Sequence, residues 1–337
     1  MMPSKLQFYI SDSRDVYYNL ACEAYLTSHV GPDTVIIFLW RNDKCVVIGR
    51  NQNAYSECYL DAIRKDGVQI ARRLSGGGAV YHDLGNLNFS FIAQKSAYSL
   101  ECQYDIIAAA IKSFGLSCKK SGRNDLLIDG AKFSGNAYYK DGEHHCHHGT
   151  LLIKLDTKKI SKYLQTNMRK LKSNGVSSHK SRVTNLQSKC SRINTETLSL
   201  ALIEAASEVY LVNASASAMS AILQDSAEID KRRKHFASED WIFGSKTNLK
   251  CLASNRFSWG EISVLIEAKA NIIKNIKIES DMLLVDIAAK IEKCLLNVRL
   301  TSADISNALF GINAKTEDEK QIISDIFLTI NSALEND

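Results

Sequence analysis

Two short stretches of this sequence carry residue types that could hold a phosphate beside a reacting acyl group. The first is RRLSGGGAVYHDLGN, residues 72–86, in which Arg72 and Arg73 precede Ser75, the glycines Gly76, Gly77 and Gly78, and then Ala79, Val80 and Tyr81. Three successive residues without Cβ atoms let the backbone take positive φ and let a ligand approach its N–H groups. Amides beside two guanidinium groups suit a phosphate. The spacing is neither that of a P-loop, G-x-x-x-x-G-K-[ST], nor that of G-x-G-x-x-G opening a helix, because here the glycines lead into a strand-like run. A hairpin loop with two solvated arginines accounts for the same residues.

The second stretch is GRNDLLIDGAKFSGNAYY, residues 122–139, which sets Arg123, Asn124 and Asp125 at the mouth of an apolar strand and Lys132 between DG and SG turns. A lone lysine is usually a solvated surface charge. A loop-borne cation beside flexible backbone is, however, a common way to hold an acyl phosphate. The run HHCHH, residues 144–148, offers zinc-ligand types. Adjacent residues of a strand point to opposite faces, so the five cannot converge on one ion without a turn.

The elements that must position these residues read as α+β. TVIIFLW (34–40) and CVVIGR (45–50), separated by RNDK, predict a hairpin. LNFSFIA (87–93) sets Leu87, Phe89 and Phe91 on one strand face, and TLLIKLD (150–156) does the same with Leu151, Ile153 and Leu155. Helical spacing marks DIIAAAIKSFGL (105–116) and TETLSLALIEAASEVYLV (195–212), the latter with a stripe of Leu198, Leu202, Ala205 and Val209. SNGVSSHKSRVTN (173–185) reads as a loop. FSWGEISVLIEAKANIIKNIKIES (257–280) predicts antiparallel strands turning near Asn271, with helices over 281–297 and 316–334 after it. Thr316 and Glu319 stand in capping-box register. The expected division is a large mixed-sheet domain over residues 1–246 and a small α+β domain over 253–337.

Bulk properties bound the function. A chain of 337 residues with 45% hydrophobic and 23% charged residues is long enough for a sizeable core and is not disordered. Lys and Arg number 42 against 37 Asp and Glu, so the net charge of +5 tolerates an anionic ligand but argues for no nucleic-acid partner. Nine cysteines without CxxC pairing fit free thiols in a reducing compartment, and the N-terminus has no export signal, so the expected location is the cytoplasm. The longest apolar run, VIIFLW, is far shorter than the ~20 residues of a bilayer span, so no membrane association is expected.

With ISDSRDVYYNLACE (10–23), LWRNDKCVVIGRNQN (39–53), HHGTLLIKLD (147–156) and SHKSRVTNL (178–186), the two stretches resemble the lipoate-protein ligase A family, ATP-dependent ligases of the biotin/lipoate ligase fold. The resemblance runs nearly end to end, with RRLSGGGAVYHDLGN its most specific motif and FSWGEISV matching the family's accessory domain. It implies that lipoate attacks the α-phosphate of ATP, with Mg²⁺ present, to give lipoyl-adenylate and pyrophosphate. A lysine of an apo lipoyl domain then takes the lipoyl group, the acceptors being E2 subunits of 2-oxoacid dehydrogenase complexes and the glycine cleavage H protein. By the same resemblance Arg73, Ser75, Gly76, Gly77, Gly78, Ala79, Val80, Tyr81, Asn124 and Arg182 contact ATP or the adenylate, with SHKSRV closing over it. Lys132 contacts both nucleotide and lipoate and is the catalytic residue, and His148, Gly149 and Thr150 contact lipoate. Asp125 is the candidate Mg²⁺ ligand, with Asp83 a second, and a monomer is expected. Two rivals remain. One is an octanoyl or lipoyl transferase of the same fold, which a cysteine nucleophile such as Cys146 would favour; the other is a non-enzymatic lipoate sensor.

Overall fold

The computed structural model describes residues 2–165, 183–216, 226–244 and 249–335. It divides into two compact units, one of Met1–Val47, Cys58–Arg73 and Val80–Ile242, the other of Ile48–Glu57, Leu74–Ala79 and Phe243–Asp337. The glycine run therefore belongs to the second unit, although the residues before and after it belong to the first.

The strands of the first unit are β1 (Lys5–Ile10), β2 (Thr34–Trp40), β3 (Cys45–Ile48), β4 (Gln69–Arg72), β5 (Val80–His82), β6 (Asn86–Gln94), β7 (Lys119–Ser121), β8 (Asp125–Ile128), β9 (Ala131–Asp141), β10 (His144–Leu152) and β11 (Ala214–Ala216). They form an eight-stranded mixed sheet in the order β11-β1-β2-β6-β10-β9-β8-β7 and a three-stranded sheet in the order β4-β3-β5. β1 pairs in parallel with β11 and β2, while β2-β6-β10-β9-β8-β7 is antiparallel throughout.

Alternation along the central strands sends two sets of side chains to opposite faces. Leu87, Phe89, Phe91 and Leu151 join a core with α2 (Leu100–Lys112) and α3 (Thr195–Tyr210), whose Leu198, Leu202 and Ala205 are buried there as the helical stripe requires. The other face meets α1 (Val16–His29), against which α4 (Ser226–Phe236) packs. α2 begins earlier than the spacing predicts, because the Ser99 hydroxyl accepts from the Cys102 amide and caps it there.

The hairpin expected between residues 34–40 and 45–50 does not form. β2 runs between β1 and β6, whereas β3 runs in the small sheet between β4 and β5. Asn19 of α1 explains the separation: its amide donates to the Arg41 carbonyl and to Asn42 Oδ1, both at 3.0 Å, so the connecting residues are held by the helix instead of closing a turn.

In the second unit β12 (Lys250–Phe257), β13 (Gly260–Lys269) and β14 (Ile272–Ser280) form an antiparallel sheet. The turn from β13 to β14 is Ala270-Asn271, both with positive φ of 50° and 58°, the conformation a two-residue hairpin with the right twist needs. Ile262, Val264 and Ile266 alternate into a core with α5 (Val285–Leu295), α6 (Ser302–Phe310) and α7 (Glu317–Leu334). The Thr316 hydroxyl caps α7 by accepting from the Glu319 amide, while the Glu319 carboxylate turns to the amide of Lys315. Among the described residues no helix is long and apolar enough to cross a membrane.

Candidate functional site

Lys132 is the second residue of β9, in the strand and not in the loop that its DG and SG neighbours suggest. The register of the β8–β9 pair shifts here: Leu126 faces Ser134 while Leu127 faces Lys132, which leaves Phe133 as the extra residue of a bulge. Bulges re-aim side chains beside functional sites. Phe133 is driven wholly into the core, and the Lys132 ammonium lies 2.7 Å from Asp125 Oδ1, each side chain about a quarter exposed (26% and 27%). The lysine stem folds over Gly135, where a Cβ would stand 3.0 Å from both Cε and Nζ. Beyond the stretch 166–182 the chain returns to the same spot, for Val183 bridges Lys132 in parallel and the Thr184 amide donates to the Lys132 carbonyl at 2.8 Å.

Asn124, next to Asp125, is locked to β9. Its carbonyl accepts from both the main-chain and side-chain N–H of Asn136, each at 2.9 Å, and its own amide donates to the Asn136 carbonyl. Arg182 and most of SHKSRV lie outside the described residues.

Neither arginine of the RRLSGGG motif is solvated. Arg72 donates to the Trp241 carbonyl at 2.8 Å and to that of Ile242, at the end of a short helix, Glu239–Phe243, whose last carbonyls have no partner within it. Arg73 is only 8% exposed and donates to the Val47 carbonyl at 3.1 Å. Burial brings its guanidinium down to about 10, opposed by the charge of Glu23, so it remains a cation at neutral pH.

The glycines divide by task. A Cβ on Gly76 would stand 2.0 Å from the Met282 carbonyl oxygen, and Gly77 takes φ of 87°, so these two are fixed by backbone packing within the second unit. Ser75 is buried with them. Gly78 meets nothing within 4 Å at its Cβ position, and with Ala79 and Val80 it is half-exposed. The Tyr81 side chain is buried against Tyr163, ring centroids 5.3 Å apart, and Tyr81 pairs with Val46 of β3 in the small sheet.

Strand alternation splits the HHCHH run. His148 Nδ1 lies 2.8 Å from Glu23 Oε2, the same oxygen that accepts from Ser90, and Ser90 in turn accepts from Trp40 Nε1 at 3.1 Å. Gly149 lets strands and rings close up, since a Cβ there would stand 2.6 Å from Phe89 Cζ and 2.7 Å from the Gly135 carbonyl oxygen. Thr150 Oγ1 accepts from the Gly135 amide at 3.2 Å. Donor atoms of Glu23, Cys146 and His148 gather within 4.8 Å of one another. In that trio the nearest carboxylate oxygen, Glu23 Oε2, is already engaged by both the Ser90 hydroxyl and His148 Nδ1, so the atoms a zinc ion would need are spent on one another.

For Mg²⁺ the fit is different. Asp83 spends one oxygen on the Gly85 amide and the other on that of Asp156. Asp125 instead presents a partly exposed carboxylate beside the lysine ammonium, a hard oxygen donor of the kind that shares Mg²⁺ with substrate phosphates.

A family model described as the lipoyl protein ligase A/B catalytic domain matches residues 15–207, and one described as the bacterial lipoate protein ligase C-terminus matches residues 248–329. The lipoate-protein ligase A of Psychrobacter cryohalolentis is 35% identical over 328 residues, covering 96% of this chain and 97% of the relative. The chain belongs to the lipoate-protein ligase A family. Among solved structures, P. falciparum LipL1 in complex with lipoate is similar with a TM-score of 0.84 and 27% identity, over 96% of this chain and 99% of that one. A bi-partite lipoate protein ligase from Thermoplasma acidophilum, solved in a study that includes its E2 lipoyl domain, gives 0.62 and 25% identity over 74% and 100%.

Sequence reasoning about this ligase missed Glu23, Asn136 and Gly135 as parts of the site's frame. Glu23 left a signal: it falls on the buried stripe of α1 with Val16, Leu20 and Thr27, where an acid needs partners. Asn136 left none, since what it does depends on Asn124 and on His147 of the neighbouring strand, and Gly135 left none because the fold of the Lys132 side chain over it follows from the bulge.

Proposed function

We propose that the protein is an ATP-dependent lipoate-protein ligase working through a lipoyl-adenylate, with residues 1–246 as the catalytic domain and 253–337 as an accessory domain. The observation that carries this reading is the Lys132–Asp125 pair at 2.7 Å, held by a strand bulge in a chain of this family. In the first step a lipoate carboxylate oxygen attacks the α-phosphorus of ATP, the bond to the β-phosphate bridging oxygen breaks, and pyrophosphate leaves. Anion meets polyanion, so fixed positive charge must stand where charge develops. Lys132 supplies it at the carboxylate and α-phosphate, a placement that contributes up to ~7 to 11 kcal/mol when geometry is near ideal. The family resemblance gives Arg73 and residues 75–81 a nucleotide role, and of these Gly78, Ala79 and Val80 are the half-exposed part. Asp125 would hold Mg²⁺, which supplies charge neutralisation at the phosphates.

In the second step the lysine amine of an apo lipoyl domain attacks the acyl carbon, the C–N bond forms, the bond between that carbon and the AMP phosphate oxygen breaks, AMP leaves with its electron pair, and the proton displaced from nitrogen passes to solvent. The amine must first lose a proton although its free pKa is ~10.4, and a cationic, partly dry site favours the neutral form. His148, Gly149 and Thr150 line the lipoate side. E2 subunits and H protein as acceptors, a monomeric state and a cytoplasmic location complete the proposal.

A transferase working through a cysteine is disfavoured by Cys146, which is fully buried with its thiol pushed well above the usual range. The test is to incubate protein, ATP, Mg²⁺, lipoate and apo lipoyl domain and weigh the acceptor. The ligase reading expects a lipoyl mass gain, and expects Lys132→Ala to keep its fold yet release no pyrophosphate. Gain only with supplied lipoyl-adenylate would identify a transferase, and no gain with either a binding protein.

A further inference from the structure

We propose that His147 is a positioning residue for Lys132: a neutral imidazole protonated on Nε2, it fixes through Asn136 the Asn124-Asp125 corner that holds the lysine ammonium. The inference rests on the role given to Lys132 above and adds a residue to its frame.

The tautomer follows from the partners. The Asn136 side-chain nitrogen donates to the Asn124 carbonyl at 2.9 Å and to Ser134 Oγ at 3.2 Å. A main-chain carbonyl can only accept, so the orientation of the Asn136 amide is set and its Oδ1 faces His147 Nε2 at 3.0 Å. An amide oxygen also only accepts, so Nε2 carries the proton. Burial, reinforced by the charges of His148 and Lys120, brings this imidazole down to about 3, so it holds one proton at neutral pH and Nδ1 is a bare acceptor.

The Gln103 amide then has to donate to Nδ1 across the 3.0 Å contact. With its oxygen on that side instead, Gln103 Nε2 and the Tyr210 hydroxyl are both buried without a hydrogen-bond partner among the described residues. The two orientations of a side-chain amide fill nearly the same space and differ only in which end donates and which accepts. Turning the amide over gives Nδ1 its donor and presents Oε1 to the Tyr210 hydroxyl, which the Gln103 side chain adjoins.

His147 also stands among the rings of Phe89, Phe91 and Tyr104, at centroid distances of 5.5, 6.0 and 5.1 Å. A phenyl ring would fill that space, so packing alone does not call for an imidazole. What the imidazole adds is one directed N–H, relayed by Asn136 to the residue preceding Asp125.

Two measurements on the full-length protein test this. Long-range ¹H–¹⁵N spectra should find His147 protonated on Nε2, bare on Nδ1, and unchanged between about pH 5 and 9; a proton on Nδ1, or titration within that range, overturns the proposal. In pyrophosphate release, His147→Phe should lose roughly 10- to 100-fold in kcat with little change in KM for ATP or lipoate. His147→Gln, whose amide nitrogen reaches the Nε2 position, should recover most of it. Wild-type kcat in His147→Phe, or no recovery in His147→Gln when both are folded, overturns it as well. A wild-type rate in Lys132→Ala would instead sink the underlying reading while leaving the imidazole spectrum as stated, so the two failures are distinguishable.

Discussion

Gly135→Ala should separate catalysis from folding more cleanly than removing the lysine itself. The added Cβ would stand 3.0 Å from Lys132 Cε and Nζ, and its next neighbour, Thr150 Oγ1, is at an ordinary 3.9 Å. Carbon contacts are comfortable at ~3.5–4.0 Å, so the ammonium must retreat by roughly 0.5–1 Å. That shift turns it away from the position where it meets Asp125 at 2.7 Å. A misplacement of about 1 Å in a positioned group costs on the order of 10²-fold in rate, which is about 2.7 kcal/mol of barrier. The backbone objects little: Gly135 is a strand residue and is not among the glycines with positive φ. Alanine there should stabilise the fold by about 0.5–1 kcal/mol relative to glycine. The expected result is pyrophosphate release down about 100-fold with a melting temperature equal to or slightly above wild type. Wild-type release would refute the claim that Gly135 confines the lysine; a loss of rate together with a clear drop in melting temperature would refute the claim that only the ammonium moves.

Two further outcomes follow from buried groups. Arg72→Ala strips the carbonyls of Trp241 and Ile242 of a buried charged donor and should cost about 2–4 kcal/mol in urea denaturation; a change below about 0.5 kcal/mol would refute a structural role for that arginine. His82 and His147 are both brought down to about 3 by burial, so between there and the free value of ~6.5 the unfolded chain binds protons that the folded one does not. Stability is therefore fully present above about pH 6.5 and falls as pH drops, by about 2 kcal/mol per histidine at pH 5. His147→Gln should remove close to half of that histidine-dependent slope in denaturation midpoints measured from pH 7 to about 5, and an unchanged slope would contradict the assigned burial.

What the sequence made legible was local. The β13–β14 hairpin could be read because its alternation and its Ala270-Asn271 turn are contained in about twenty residues. The stripe of α3 could be read for the same reason. The failures share a cause: each depended on a partner distant in the chain. Arg72 looks like a surface charge until its acceptors at Trp241 and Ile242 are known. The RNDK turn looks like a hairpin until Asn19 takes its carbonyl. Lys132 looks loop-borne because the bulge that carries it arises from a register mismatch with β8, and one strand's sequence does not state a register.

The same logic explains why HHCHH misled as a metal motif and yet matters. A strand delivers successive side chains to opposite faces, so the run is two half-sets. Cys146 and His148 face Glu23 of α1, while His147 faces Gln103 of α2 and the rings of the main core. Two adjacent histidines thus stand in environments separated by the sheet itself, and a single substitution at either should leave the other's hydrogen bonds intact. If His148→Gln abolishes lipoate-dependent activity without changing the His147 tautomer, while His147→Phe slows adenylate formation without weakening lipoate binding, the two faces act independently. Coupled losses in both variants would mean that the sheet between them transmits strain, as a close-packed interior can, and the assignment of one histidine to each task would fail.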